Sequence, residues 1–363
     1  MRTSSIAYLV SPHGFGHAAR ACAVMAAVHR LAPSVRFDIF TTIPPLFFKE
    51  SVSGPFRCHS VLTDIGLVQK SAFEEDIRKT AQELDRFLPF PRLVLENLST
   101  TLVRLNCLLV ICDIAAIGIA AAKKAGIPSM LVENFTWDWI YEGYTDRSPQ
   151  LARHIEYLRR LFKAADFHIQ AKPVCRRNIP DIVVPPVSRK MKTKKKDTRK
   201  TLGIPSGGKA VLVSSGGIPE EYDFYETLRE EKDISFIIAG VGKTIRNSGN
   251  IITLPHHSGF YHPDLVNAVD AVVGKAGYST LAEIFHAGIP FGYISRPDFR
   301  EARVLSAFIE EEMTGLEIKE DDFRTGNWVY DIHDVLEKKA DHRPSENGAD
   351  RIAAFIQERI NIR

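Results

Sequence analysis

Short hydrophobic runs alternate along this chain with longer segments whose apolar positions recur every three or four residues. The first pattern indicates buried strands and the second amphipathic helices, so the chain predicts repeated βαβ units. The predicted strands are residues 5–10, 36–41, 56–62, 108–112, 128–132, 167–170, 210–215, 234–239, 251–255, 271–274 and 290–295. We therefore expect an α/β fold built on mostly parallel sheets.

The length of 363 residues exceeds what one hydrophobic core usually supports, so two domains are expected. Composition shifts most sharply at residues 189–200, RKMKTKKKDTRK, which predicts a basic linker over residues 186–204. The predicted division is a first Rossmann-like domain at 1–185, a second domain at 205–345 and a C-terminal helix at 346–363.

Charge and composition exclude several functional classes. The net charge is only +3, and the basic run contains no interleaved aromatic residues, which argues against nucleic-acid binding. A solvated linker is the simplest interpretation of that run, with weak attraction to an anionic membrane surface as the alternative. No apolar run is long enough to span a bilayer and no signal peptide is recognisable, so we expect a cytoplasmic protein. The five cysteines form no CxxC pair or zinc-type cluster, so we expect reduced thiols and no metal.

The most informative stretch is residues 271–303, which predicts strand, turn, helix, strand, turn and helix. The first helix begins with small or hydroxyl residues, so its free backbone N–H groups are open to an anion such as a phosphate. That helix start comprises Ala276, Gly277, Tyr278, Ser279 and Thr280. Glu283 lies one turn further, where its carboxylate could accept hydrogen bonds from a ribose. The alternative is an ordinary solvated glutamate on an amphipathic helix.

A glycine turn, GFGHAA at residues 14–19, follows the first strand and is close to a dinucleotide-binding fingerprint. That interpretation requires an acid at the end of the second strand, whereas Asp38 lies inside it. Gly14 and Gly16 permit close backbone approach, and His13 and His17 flank them. The positive end of the helix dipole disfavours protonation of a histidine at a helix start. The neutral imidazole that results is a competent general base.

Asp113 ends a predicted buried strand, where parallel sheets present side chains to a crevice. It could orient the imidazole of His17, or it could cap the helix that follows at 114–125. Both interpretations remain open from the sequence.

An aromatic segment at residues 133–141 places Asn134, Trp137 and Asp138 together. Rings beside amides and carboxylates are typical of carbohydrate platforms, although an aromatic cluster is more often core.

Gly216 and Gly217 form a second glycine turn, which again suits a phosphate. The run 240–244, GVGKT, is not a Walker A motif, because Ile237 replaces the first required glycine.

These motifs together resemble those of GT-B glycosyltransferases. Ala276, Gly277, Thr280 and Glu283 are similar to the donor-binding signature of the bacterial peptidoglycan-precursor N-acetylglucosaminyltransferase family. The segments HGFGH, NFTWDWIY, YHPDL and VVGKAGYST resemble the glycosyltransferase-like portion of plant arabinose kinase. The resemblance covers most of the chain.

The resemblance implies two Rossmann-like domains facing a cleft, with a C-terminal helix that can cross back to the first domain. It implies transfer of a sugar from a nucleotide-sugar, expected to be a UDP-sugar, to an unidentified acceptor hydroxyl, without metal or cofactor. His17 would be the base, Glu283 would bind the ribose, and Arg300 with Glu301 would face the donor sugar.

Two further implications of the resemblance concern the acceptor side and the donor sugar, and two alternative functions remain beside it. His13, Gly14 and Gly16 would lie on the acceptor side. Relatives carry more Gln and Asn around residues 300–303, which leaves the donor sugar open. A non-catalytic nucleotide-sugar sensor and a nucleotide-sugar epimerase are the alternatives.

Overall fold

The computed structural model describes residues 5–70, 74–214, 223–338 and 346–360. They form two compact units, one comprising Met1–Ser188 with Glu346–Arg363 and the other Arg189–Ser345. Each unit has its own sheet and its own buried core, and each is described separately below.

The first unit contains a sheet of seven strands within the described residues, all parallel to their neighbours. Its strands are Ser5–Val10 (β1), Arg36–Thr41 (β2), Phe56–Ser60 (β3), Cys107–Asp113 (β4), Ser129–Glu133 (β5), Phe167–Ala171 (β6) and Ile182–Val184 (β7). Its helices are Gly16–Leu31 (α1), Pro45–Ser51 (α2), Ile77–Phe87 (α3), Arg92–Arg104 (α4), Ala116–Ala125 (α5), Trp137–Glu142 (α6) and Leu151–Phe162 (α7).

The second unit also has a sheet of seven strands in its described part, with one antiparallel pair. Its strands are Lys209–Ser214 (β8), Ile234–Ala239 (β9), Arg246–Ser248 (β10), Ile251–Leu254 (β11), Ala271–Lys275 (β12), Phe291–Ile294 (β13) and Gly315–Glu317 (β14). Its helices are Lys195–Leu202 (α8), Tyr225–Glu230 (α9), His262–Ala268 (α10), Tyr278–Ala287 (α11), Ala302–Glu312 (α12), Glu320–Thr325 (α13) and Ile332–Glu337 (α14), with a 3-10 turn at Asn327–Val329.

The last helix, Gly348–Ile360 (α15), packs against α1 of the first unit. The chain segment that leads into this helix is held by Asn347, whose side-chain amide donates to the backbone carbonyl and to the hydroxyl of Ser188. Gly348 passes so close to the Pro185 carbonyl that an added Cβ would lie 2.1 Å from that oxygen. The C-terminal helix therefore completes the first unit.

Strand order fixes where each sheet can bind a ligand. The first sheet runs β3-β2-β1-β4-β5-β6-β7, so the direction of strand addition reverses between β1 and β4. The second runs β10-β11-β9-β8-β12-β13-β14 and reverses between β8 and β12. In open parallel sheets, ligands bind at the carboxyl ends of the strands at such a reversal. Residues following β1, β4, β8 and β12 are therefore the candidates for a site.

The reversal in the second sheet depends on a glycine. An added Cβ at Gly274, on β12, would lie 2.0 Å from the Ser214 carbonyl oxygen of β8. Only a residue without a side chain allows these two strands to approach at that point. Behind them, Leu212, Val272 and Leu281 contribute to the buried core of the second unit.

Two predictions from the pattern need correction. Residues 195–202, in the predicted linker, form α8, because Lys195 and Arg199 bond Asp270 and nearby carbonyls. The short edge strands β7, β10 and β14 were not predicted, since three residues carry little periodicity. The glycine-rich turn after β9 leads to β10 rather than to the helix that a P-loop requires, which agrees with the exclusion of a Walker A motif at residues 240–244.

Candidate functional site

His17 and Asp113 meet at the strand reversal of the first unit. His17 lies in the first turn of α1, directly after β1, and Asp113 is the last residue of β4. The His17 Nδ1 is 2.8 Å from Asp113 Oδ1. Both polar contacts that the structure records for this ring are at Nδ1, which donates to Asp113 in the tautomer with an unprotonated Nε2, and within the described residues Nε2 has no hydrogen bond. The pair is arranged so that Asp113 fixes the ring and Nε2 remains open to a substrate.

Arg20 is a member of this cluster that the sequence did not identify. Its guanidinium is buried and donates to both oxygens of Asp113, from Nε at 2.8 Å and from Nη2 at 2.6 Å. Nη1 donates to Asn134 Oδ1 at 2.7 Å. Burial alone would raise the pKa of Asp113, but Arg20 and His17 outweigh it and hold that pKa below its usual value. Asp113 is therefore ionised when it contacts His17.

The structure decides between the two interpretations of Asp113. The following helix α5 begins only at Ala116, and its N-cap is Ala115, without a side-chain bond. Ile114 stands between them with φ of 49°, in the left-handed region that a β-branched residue rarely adopts. Such a conformation costs about 1–3 kcal/mol and is tolerated where the surroundings enforce it. Asp113 contacts His17 and Arg20 rather than capping α5, and the capping interpretation is wrong.

Asp64 is a second carboxyl beside this pair. Its Oδ1 accepts from Ser11 Oγ at 3.0 Å, and its Oδ2 accepts from the Trp137 indole at 3.2 Å. Burial raises its pKa to about 6, although His17, Ser11 and Trp137 act in the opposite direction. The first unit therefore brings an ionised Asp113 and a more readily protonated Asp64 to the same imidazole. The residue follows β3, and its position after a predicted strand was the signal available from sequence.

The aromatic segment does not form an open carbohydrate platform. The relative exposure of Asn134, Trp137 and Asp138 is 0%, 1% and 3%, so no free ring face is available for stacking. Trp137 instead packs edge-on against His13, with ring centroids 5.1 Å apart, and lies 6.4 Å from the ring of His17. The alternative given by the sequence, an aromatic core, describes the Trp137 ring correctly. Trp137 thus packs against the rings of His13 and His17, and Asn134 accepts from Arg20.

The glycine turn after β1 brings His13 close to a neighbouring loop. Gly66 has φ of 63°, and an added Cβ there would lie 2.6 Å from His13 Nδ1. Gly14 is exposed, and Gly16 is the first residue of α1.

Asp38, considered for ribose binding, is buried and bonds Ser5 and His59, so the dinucleotide interpretation gains no support.

The predicted phosphate-binding helix start lies at the strand reversal of the second unit. Gly277 is the N-cap of α11, and an added Cβ there would meet nothing within 4 Å. The first-turn amides of Tyr278, Ser279 and Thr280 follow it, and Gly277 has no side chain to cap them. Ala276 has to be removed from the set of donors, because its N–H bonds the Ile294 carbonyl at 2.9 Å.

Glu283 is not the solvated residue of the alternative interpretation. It is buried, its Oε1 accepts from Arg189 Nε at 2.9 Å, and its Oε2 lies 2.6 Å from His262 Nδ1. Burial alone would raise its pKa, but Arg189 and His262 lower it below the usual value. Each carboxylate oxygen has two lone-pair sites, so both can accept another hydrogen bond from a ligand.

The remaining predicted residues are placed as follows. Glu301 is buried at the N-cap of α12, and Arg300 precedes it. Gly216 and Gly217 follow β8 and lie outside the described residues.

Arg20, Arg189 and His262 complete the two clusters, and sequence reasoning missed their roles. Arg20 follows His17 by three positions in α1, a spacing that places both on one helix face and could have indicated their association. Arg189 and His262 reach Glu283 from 94 and 21 residues away, and local spacing gives no signal for that.

Two absences concern the described residues only. Within them, no group of three or more His, Cys, Asp or Glu side chains is placed to hold a metal ion. No helix in these ranges combines the length and apolar character needed to cross a bilayer.

Comparison with characterised proteins places these features in context. No protein-family model matches the chain. The L-arabinokinase of Arabidopsis thaliana is 29% identical over 359 residues, 97% of this chain and 34% of that protein. A UDP-N-acetylglucosamine–N-acetylmuramyl-(pentapeptide) pyrophosphoryl-undecaprenol N-acetylglucosamine transferase from Halalkalibacterium halodurans is 29% identical over 195 residues, 49% of each chain. The chain thus spans between a third and a half of the length of these curated relatives.

Solved structures establish the fold. The calicheamicin glycosyltransferase CalG4 superposes with a TM-score of 0.62 at 12% identity, covering 99% of this chain and 95% of that one. MurG of Acinetobacter baumannii gives 0.56 at 13% identity, covering 98% and 99%. A Medicago truncatula protein complexed with UDP-glucose gives 0.58 at 10% identity, covering 98% and 93%. The structural neighbours are GT-B glycosyltransferases, and the predicted α/β fold of this type is confirmed.

Proposed function

We propose that this protein is a glycosyltransferase that moves a hexosyl or N-acetylhexosaminyl group from a UDP-sugar to an acceptor hydroxyl, without a metal ion. The observation that carries the proposal is the His17 ring, held at Nδ1 by an ionised Asp113 and left open at Nε2. The GT-B fold supports it, as do the name of the Halalkalibacterium relative and the UDP-glucose bound to the Medicago structure.

In this proposal the first unit activates the acceptor. His17 Nε2 removes the proton of the acceptor hydroxyl while the oxygen attacks the anomeric carbon and the bond from that carbon to the diphosphate breaks. Asp113 stabilises the imidazolium that forms, and Arg20 keeps Asp113 ionised and oriented. A positioned general base of this kind contributes about 10²–10⁴-fold to rate.

The second unit binds the donor in this proposal. The first-turn amides of Tyr278, Ser279 and Thr280 receive the diphosphate, whose negative charge grows as the sugar leaves, and the α11 dipole stabilises it. Glu283 accepts hydrogen bonds from the ribose hydroxyls while Arg189 and His262 hold it. Arg300 and Glu301 face the donor sugar, and Gly216 with Gly217 adds backbone donors.

The experiment combines binding with turnover. Thermal-shift measurements with UDP-, GDP- and TDP-sugars identify the donor, and release of free nucleotide is then followed with a panel of acceptor alcohols. We expect His17→Ala to retain the donor-induced shift and to lose about 10²–10⁴-fold of the transfer rate. His333→Ala, which removes an exposed histidine paired with Glu231, is the matched control and should transfer normally.

Each component of the proposal can fail separately. No thermal shift with any nucleotide-sugar would refute the donor site, and undiminished transfer by His17→Ala would refute the base. Binding without turnover in the unaltered protein would identify a sensor. Conversion of a single nucleotide-sugar without any acceptor would identify an epimerase.

A further inference from the structure

A groove of about 510 Å³ lies in the first unit, apart from His17 and Asp113. It is lined by β5 and β6, by the beginning of α6, by the end of α7 and by the segment 176–181, all within the described residues. We call it the β6 groove. Its volume falls within the range of about 300–1,000 Å³ that is typical of small-molecule sites. The proposed transfer reaction makes no use of it.

The β6 groove contains a carboxylate that lacks a hydrogen-bond donor. Asp138 is 3% exposed, and its Oδ1 is buried without a hydrogen bond in the described structure. Its Oδ2 is 3.5 Å from Arg159 Nε and 3.5 Å from Arg176 Nη1, beyond the usual length of such a bond. Both guanidinium groups bond Glu142 instead. Leaving a buried oxygen acceptor unsatisfied is costly, so an O–H or N–H donor from a ligand would be favourable at Asp138.

The charges of the groove lining balance. Asp138, Asp166 and Asp181 supply three carboxylates, and three cationic side chains oppose them. Those three cations are Arg159, Lys163 and Arg176. A balanced lining attracts neither anions nor cations strongly, and it offers both hydrogen-bond donors and acceptors. This favours a neutral ligand rich in polar groups.

The lining also has an apolar component, which narrows the ligand class. Leu131, Phe162 and Ile179 contribute hydrocarbon surface, and Ile179 is fully exposed at the rim. Saccharides combine hydroxyl groups, which donate and accept, with apolar C–H faces. A lining that mixes carboxylates, guanidinium groups and aliphatic side chains matches both properties.

We propose that the β6 groove is a binding site for a neutral saccharide unit. A sugar hydroxyl donates to Asp138, the guanidinium groups of Arg159 and Arg176 donate to sugar oxygens, and Ile179 covers a C–H face. The sugar is either free or carried on a larger molecule, and its recognition chemistry is the same. This site is separate from the residues that the proposed transfer reaction uses, and its existence does not depend on that reaction.

Saturation-transfer difference NMR tests the proposal because it detects weak sugar binding without any nucleotide. The neutral probes are glucose, N-acetylglucosamine and arabinose, each paired with its methyl glycoside; the charged comparators are glucuronate, glucosamine and inorganic phosphate. We expect at least one neutral probe to bind, and the charged comparators to bind more weakly. Retention of the signal in a methyl glycoside supports a sugar carried on a larger molecule, and its loss supports a free sugar.

Two variants and a control locate the signal. Asp138→Asn should weaken binding by about tenfold or more, since the amide keeps only one oxygen that can accept a hydrogen bond. Ile179→Trp changes a fully exposed side chain, so it should fold normally and block the groove. Asp146→Asn, an exposed acid of the same unit outside the groove, should bind as the unaltered protein does. A signal that persists in both groove variants, a preference for a charged comparator, or no signal with any neutral sugar would overturn the proposal.

Discussion

At its strand reversal, each unit buries a carboxylate between an arginine and a histidine, and these two clusters differ in how they are built. In the first unit, Asp113 contacts Arg20 and His17, which are three residues apart on one helix. In the second, Glu283 contacts Arg189 and His262, which come from separate segments. Both histidines present Nδ1 to the carboxylate. An arginine, a histidine and an acidic residue thus occur together at both strand reversals.

The two clusters differ in which group remains available to a ligand. Arg20 engages both oxygens of Asp113, so that carboxylate is committed to holding the histidine, whose Nε2 is open. Glu283 gives one oxygen to each partner and keeps lone pairs for a ligand. The first arrangement suits proton transfer, and the second suits recognition of hydroxyl groups. Geometry, rather than residue type, separates the two roles.

Substitution of Arg20 or Arg189 should have the largest effect, measured as a loss in the free energy of unfolding. Arg20→Met leaves Asp113 buried without its guanidinium and Asn134 without its donor, so we expect a loss of about 3–5 kcal/mol in unfolding free energy. Arg189→Met leaves Glu283 with the partly exposed His262, and we expect about 1–3 kcal/mol. Urea unfolding followed by circular dichroism measures both. Equal losses would show that the two clusters are energetically equivalent.

Glu283→Gln should separate recognition from chemistry. The amide cannot accept hydrogen bonds at both of its terminal atoms, so donor affinity should fall by about 10–100-fold, corresponding to about 1.5–3 kcal/mol. His17→Ala, measured in the same calorimetric titration with the donor found by thermal shift, should bind that donor unchanged. Undiminished affinity in Glu283→Gln would remove Glu283 from the donor site.

Asp64 gives the first cluster a distinctive pH dependence. Its pKa is raised to about 6 in the folded protein, whereas an aspartate in an unfolded chain has about 3.9. The folded state therefore binds the proton more tightly, and the Asp64 contribution to stability falls as pH rises from about 4 to about 6. Asp113, whose pKa is lowered, acts in the opposite direction and loses its contribution as pH falls below about 4.

The variant Asp64→Asn isolates that contribution. Relative to the unaltered protein, it should gain about 1–3 kcal/mol of unfolding free energy between about pH 4 and about pH 7. Unfolding curves at several pH values across this interval measure the change. A constant difference between the two proteins over the interval would contradict a raised pKa for Asp64.

The exposed ion pair between Arg30 and Asp350 should show the smallest effect. It joins α1, the helix that carries His17 and Arg20, to α15. Both side chains are exposed, so Arg30→Ala should cost about 0–1 kcal/mol and less at high salt. A loss as large as that of Arg20→Met would show that α15 contributes to the first cluster through this contact.

Local pattern determined most of the architecture. The central strands and long helices follow from hydrophobic runs, and the glycine turns, His17, Asp113 and Glu283 are visible as motifs. Edge strands such as β7 and β14 are too short for periodicity to show, and α8 was hidden in a basic run whose stabilising acid, Asp270, lies elsewhere in the chain.

The tertiary structure alone decided what each motif contacts. Asp113 can cap α5 or bind His17 on sequence grounds, and in the folded chain α5 has Ala115 as its N-cap while Asp113 contacts His17 and Arg20. Glu283 can be solvated or buried, and Arg189, which lies 94 residues away, buries it as an ion pair. Trp137 can stack on a sugar or fill the core, and packing against His13 and Asp64 places it in the core. Sequence periodicity fixes which face of an element is buried, whereas the partner of a buried polar group is set by residues that are distant in sequence.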